Sequence, residues 1–109
     1  YEVRVMDSLE EQVHGDLYSA PEYLSKEVEL IIGDVRDRRI LHRALRDVDV
    51  VYHLAARVGV GQSMYEIKDY TDVNNVGTAT LMEELMENPV EKLIVASSMS
   101  IYGEGMYRD

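Results

Sequence analysis

Four short apolar runs limit what this chain can fold into: residues 1–6, 28–32, 49–54 and 92–96. They are rich in β-branched residues and stop at small or acidic ones, which predicts four strands. Segments 7–27, 33–48 and 55–91 separate them, each far longer than a hairpin loop. Two of those segments carry helical spacing. Asp37 is placed to cap a helix whose Ile40, Leu41, Ala44 and Leu45 share one face, with the arginines pointing elsewhere. Val73, Val76, Gly77, Thr80, Leu81 and Leu85 form a second stripe within a helix over residues 69–87, with Glu83, Glu84 and Glu87 largely off it. Asn88-Pro89 ends that helix. Residues 8–26 are polar and broken by Gly15 and Pro21, so they read as loop with a turn of helix near Glu22. Strands joined by crossover helices predict an α/β fold with a parallel sheet. The nearly unbroken run at 92–96 predicts a strand buried on both faces.

Composition removes several functions. A total of 109 residues suits one domain or part of a larger one. Eleven Lys and Arg against 21 Asp and Glu give a net charge of −10, the wrong sign for a phosphate-backbone binder, so no nucleic-acid partner is expected. No apolar run approaches the ~18 residues of a membrane span, and no charged-then-apolar leader opens the chain. The expected location is cytoplasmic, with no membrane partner. Without cysteine, disulfide scaffolds, thiol catalysis and cysteine-ligated zinc are excluded. His14, His42 and His53 stand far apart with no second ligand at metal spacing, so no metal site is expected. The chain opens at Tyr1, already in a strand and without an initiating Met.

In an open parallel sheet, ligands bind beyond the carboxyl ends of the strands. Those ends hold Asp7, then Gly33-Asp34-Val35, then Leu54-Ala55-Ala56, then Ala96-Ser97-Ser98, with no Lys or Arg at any of them. Small residues admit a flat ligand and a carboxylate accepts from ribose hydroxyls, which suits a dinucleotide better than a bare anion. Asp7 is the sharpest candidate: it is placed as a ribose acceptor that repels a 2′-phosphate, favouring NAD over NADP. The plainer reading is a turn-forming Asp after a strand. Ser97-Ser98 has an equally plain alternative, polar residues satisfying backbone groups at a strand end. Gly59-Val60-Gly61-Gln62-Ser63-Met64 lacks the third small residue of a pyrophosphate loop and reads as a mobile binding loop. His42 is expected on a solvated helix face and His53 as a satisfied residue near a strand end. Met82 and Met86 read as packing or interface residues.

Five segments in order resemble the extended short-chain dehydrogenase/reductase family, and within it the NAD-dependent nucleotide-sugar epimerases and dehydratases. They are Asp7-Ser8-Leu9, then Gly33-Asp34-Val35 with Arg36-Asp37, then His53-Leu54-Ala55-Ala56, then Asn74-Asn75-Val76-Gly77-Thr78, then Ser97-Ser98-Met99-Ser100-Ile101-Tyr102-Gly103. Gln12-Val13-His14-Gly15, the stretch at 58–65 and the stretch at 97–105 look similar to a branch that includes dTDP-L-rhamnose 4-epimerases. The resemblance implies NAD as cofactor and a nucleotide sugar as substrate. It assigns cofactor contacts to Asp7, Ser8, Leu9, Asp34, Val35, Leu54, Ala55, Ala56, Asn74 and Ser97, and catalysis to Ser98. The family's base is the Tyr of Y-x-x-x-K, and none of the eight tyrosines here has Lys four residues on.

The chain therefore resembles an internal fragment of a single NAD-binding domain, a partial Rossmann-type doubly wound parallel sheet. Its first strand, with the Gly-rich loop, and its C-terminal part are missing. The family order 3-2-1-4-5 would leave two strand pairs flanking a gap. The fragment is expected to be inactive alone, and the full enzyme to be a homodimer through the long helix that carries Met82 and Met86. UDP-hexose 4-epimerase and 4,6-dehydratase activities stay open beside the first reading, as does an NAD sensor without turnover or a remnant with no ligand.

Overall fold

A computed structural model describes residues 1–15, 20–103 and 105. The loop read over 8–26 and the motif over 97–105 therefore lie partly outside the described residues. Among the described residues four strands form, β1 (Arg4–Asp7), β2 (Glu29–Ile32), β3 (Val50–His53) and β4 (Lys92–Val95). All four fall inside or within one residue of the apolar runs. They make two separate parallel pairs: β1 with β2, registered Met6 against Ile31, and β3 with β4, registered Tyr52 against Ile94. Two pairs with no ladder between them match the order expected from the resemblance.

Between the strands lie α1 (Glu11–His14), α2 (Arg38–Ala44), α3 (Val60–Ser63), α4 (Ile67–Thr71) and α5 (Gly77–Glu87). The Asp37 carboxylate caps α2, accepting from the N–H groups of Arg39 and Ile40. Arg4 on β1 donates to Ala44 O and Arg46 O at the far end of α2, at 2.8 and 2.7 Å, so a cation meets the helix's orphan carbonyls. Val35, Leu41, Leu45 and Leu81 form the buried core, with Met6, Val51, Leu85 and Leu93 packed on it. Strands from both pairs thus share one core under α2 and α5. At Gly77 a β-carbon would come within 2.5 Å of Val35 Cγ1, so only glycine lets α5 seat there.

Several expectations need correction. Residues 8–26 are not all loop, because Glu11–His14 is a helical turn, while Pro21–Leu24 is a hydrogen-bonded turn. Gly59–Met64 is not open loop either. Gly59, at φ 121°, leads into α3, and the Tyr70 hydroxyl donates to Val58 O at 2.8 Å to hold its base. The long helix covers 67–87 but contains a π-helical segment at Asp72–Val76. Its wider turn shifts every later side chain around the axis. Val76, expected on the buried stripe, is exposed, and Asn74 and Thr78 turn inward instead.

Glu84, expected largely off the stripe, is 1% exposed. It lies seven residues from Gly77, which returns it to the packed face, and its carboxylate survives there because it is paired. Arg38 of α2 favours its ionised form and lowers its pKa, aided by His42 Nδ1 at 3.2 Å. β4 is not buried on both faces, since Lys92 and Val95 are exposed. Among the described residues no helix is long and apolar enough to cross a membrane.

Candidate functional site

The carboxyl ends of β1, β2 and β3 converge at one end of the molecule, and an ionic chain shows it. Arg57, four residues past β3, reaches Glu10 beyond β1 at 3.3 Å and Asp69 of α4 at 2.7 Å. Arg36, beyond β2, reaches the other oxygen of Asp69 at 4.0 Å and grips Asp34 at 2.6 Å. This corrects the expectation that strand ends lack cations. Arg36 and Arg57 fold back over them from just beyond the strand residues.

Asp7 Oδ1 accepts from the Leu9 N–H at 2.8 Å, an Asx-turn that holds Leu9 at φ 51°. A buried leucine in the left-handed region costs on the order of 1–3 kcal/mol, so the turn is held by its surroundings. The turn-forming reading of Asp7 is the one the structure shows, and it engages only one of the two carboxylate oxygens. One oxygen shapes the turn, and Oδ2 makes no hydrogen bond among the described residues, on a side chain 44% exposed. Ser8 beside it is exposed.

Asp34 accepts from the Arg36 main chain and guanidinium, and that guanidinium holds its carboxyl below the usual range. Val35 places its side chain in the core, which leaves only its main chain for a ligand. Leu54, Ala55 and Ala56 form an uncovered apolar shelf past β3, with Leu54 67% exposed. His53 beneath it is buried. Thr78 Oγ1 spends its proton on Asn74 O at 2.6 Å, so it accepts from His53 Nε2–H at 2.9 Å. That is a satisfied histidine, and its burial pushes the imidazole pKa down.

Asn74 does not point into open space. Its Oδ1 accepts from the Arg57 N–H at 2.7 Å and its Nδ2 donates to Arg57 O at 3.1 Å, so it clamps the loop after the shelf. Ser97 and Ser98 are both exposed. Ser98 Oγ accepts from the Ser100 N–H at 3.1 Å, capping a 3-10 turn at Met99–Tyr102. Among the described residues that use leaves the hydroxyl proton and one lone pair unengaged.

Linear spacing does not mark Arg57, Glu10 and Asp69 as a group. Their only sequence signal is Arg57 directly following Ala55-Ala56, since the two carboxylates come from distant elements. A second grouping also escaped linear spacing. His42, Glu84 and Glu87 bring ligand atoms within 4.8 Å of one another. Arg38 already pairs with both carboxylates, so a cation occupies the place a metal would take.

A family model described as the NAD dependent epimerase/dehydratase family matches residues 1–108. A dTDP-L-rhamnose 4-epimerase of Burkholderia thailandensis is 35% identical over 108 residues, covering 95% of this chain and 30% of its own length. The solved UDP-glucose 4-epimerase of Thermotoga maritima with UDP-glucose superposes at TM-score 0.81 with 26% identity, over 99% of this chain and 34% of that one. A dTDP-glucose 4,6-dehydratase of Streptomyces venezuelae with NAD bound superposes at 0.70 with 32% identity, over 84% and 28%. The chain spans less than a third of the length of the curated relatives it matches.

Proposed function

The chain belongs to the NAD dependent epimerase/dehydratase family, and from that premise we propose that residues 1–109 are part of one NAD-binding domain of a nucleotide-sugar 4-epimerase. The observation that carries this is the convergence of strand ends beside an uncovered apolar shelf, with Asp7 Oδ2 at one of those ends making no hydrogen bond among the described residues. An adenosine fits that chemistry. Asp7 Oδ2 accepts from ribose hydroxyls, the Gly33–Val35 main chain borders the adenine, and Leu54-Ala55-Ala56 lies beneath the cofactor. When bound, NAD would supply the hydride-transfer chemistry. The exposed Ser98 hydroxyl donates its free proton to the sugar oxygen and so orients the carbon that reacts.

The proton acceptor is the piece this chain does not hold, because none of its tyrosines has Lys four residues on. We therefore propose that the full-length protein is active and that these 109 residues alone are not. Similarity to the rhamnose epimerase favours a dTDP-linked sugar, and the exposed Met82 and Met86 on α5 suit a homodimer.

The test gives the purified full-length protein NAD with dTDP-L-rhamnose, UDP-glucose or dTDP-glucose and follows products by NMR. Epimerised product is expected, with Ser98→Ala lowering kcat by about 10²-fold or more while NAD affinity holds. Dehydrated product alone would make it a dehydratase. No turnover despite NAD binding would leave a sensor.

A further inference from the structure

Among the described residues, every hydrogen bond or ion pair between residues 1–15 and residues 50–103 runs through one side chain, Arg57. Its Nη2 lies 3.3 Å from Glu10 Oε1, and its Nη1 donates to Gln12 Oε1 at 3.4 Å. Its Nε lies 2.7 Å from Asp69 Oδ2, although the N–H is not aimed there and Oδ2 accepts no hydrogen bond. The Arg57 main chain is fixed at both its N–H and its C=O by Asn74. Only 24% of the side chain is exposed. A guanidinium supplies a planar fork of donors that can serve α1 and α4 together, and a single ammonium cannot.

We propose that Arg57 is a positioning residue that braces the segment following the ribose acceptor Asp7 against the loop that follows the shelf at Leu54-Ala55-Ala56. The Glu10 carboxylate is three residues from Asp7, and Arg57 directly follows Ala56. The tie thus spans the two parts of the site that one dinucleotide must touch together. A dinucleotide needs both at a fixed separation, and an error there weakens binding without altering the hydride-transfer groups. Asn74 belongs to the same device, because it fixes the base of the arginine while Glu10, Gln12 and Asp69 fix its tip.

The proposal rests on the NAD-binding reading above, and its test separates the two. In the full-length protein, Arg57→Lys and Arg57→Gln are expected to raise the NAD dissociation constant about tenfold, the scale of one charge-assisted hydrogen bond. KM for NAD should rise with it, and kcat at saturating NAD should hold. Amide exchange at residues 8–14 is expected to quicken while α5 keeps its protection. Unchanged affinity in both variants, a fall in kcat with constant KM, or exchange that quickens equally in α5 would each overturn the proposal. If the unsubstituted protein binds no NAD by titration calorimetry, the function proposed above fails, and exchange at residues 8–14 alone decides the tie.

Discussion

Asp7 shapes the fold through one carboxylate oxygen, and the ribose contact proposed above falls to the other. Oδ1 holds Leu9 in a left-handed turn, and Oδ2 is left for a hydroxyl donor. Two substitutions separate the roles. Asp7→Asn keeps an oxygen for the Leu9 N–H and loses the charge. It is expected to weaken NAD binding by the ~1.5–3 kcal/mol of a charged hydrogen bond with little change in Tm. Asp7→Ala loses the turn acceptor as well, so it should also lower Tm. Calorimetric titration with NAD and thermal unfolding read the two effects. Equal affinity for wild type and Asp7→Asn would remove Asp7 from the ribose site. Asp7 was legible in the sequence because it ends a strand. Arg57 was not, because its partners at Glu10 and Asp69 come from other elements and only folding brings them together.

At the scale of elements, periodicity read well where the backbone kept one period. The strands and α2 follow apolar runs and a cap that linear spacing reveals. The long helix changes period at Asp72–Val76, which leaves Val76 exposed, while Gly77, Leu81 and Leu85 beyond it keep the packed face their spacing marks. The packed face beyond it holds Glu84, whose pairing with Arg38 and His42 latches α5 to α2.

That packing carries a pH dependence with two steps. Burial lowers the His53 pKa from the usual 6.5, so the unfolded state binds the extra proton first. Stability is full above pH 6.5 and declines as pH falls through the folded value. Arg38 lowers Glu84 from the usual 4.5, and Arg36 lowers Asp34 from 3.8. Their contribution is full above those values and is lost as pH falls through the lower folded ones. Tm measured against pH should drop in two stages, His53→Gln removing the upper and Glu84→Gln shrinking the lower. A single stage unaffected by either substitution would contradict the assignment.

The whole molecule is too open for its mass. A complete domain of 12.5 kDa exposes about 6,200 Å², and this chain exposes 9066 Å². Its radius of gyration is 16.0 Å where about 13 Å is usual. The excess has identifiable sources. Val50, Tyr52, Leu54 and Val95 are exposed on or beside the β3–β4 pair, and Ile32 on the β1–β2 pair. Parallel strands are normally covered on both faces, and here each pair keeps a free edge. The exposed apolar faces and the absence of a ladder between the two pairs share one cause if a further parallel strand lies between β1 and β3. The isolated 109 residues should then bind a hydrophobic dye and unfold with a shallow denaturant slope for their length. They should also leave every nucleotide sugar unchanged. The full-length protein should unfold steeply and exclude the dye. Steep unfolding without dye binding by the isolated chain would show that the two pairs close on each other unaided, and the gap between them would have to be abandoned.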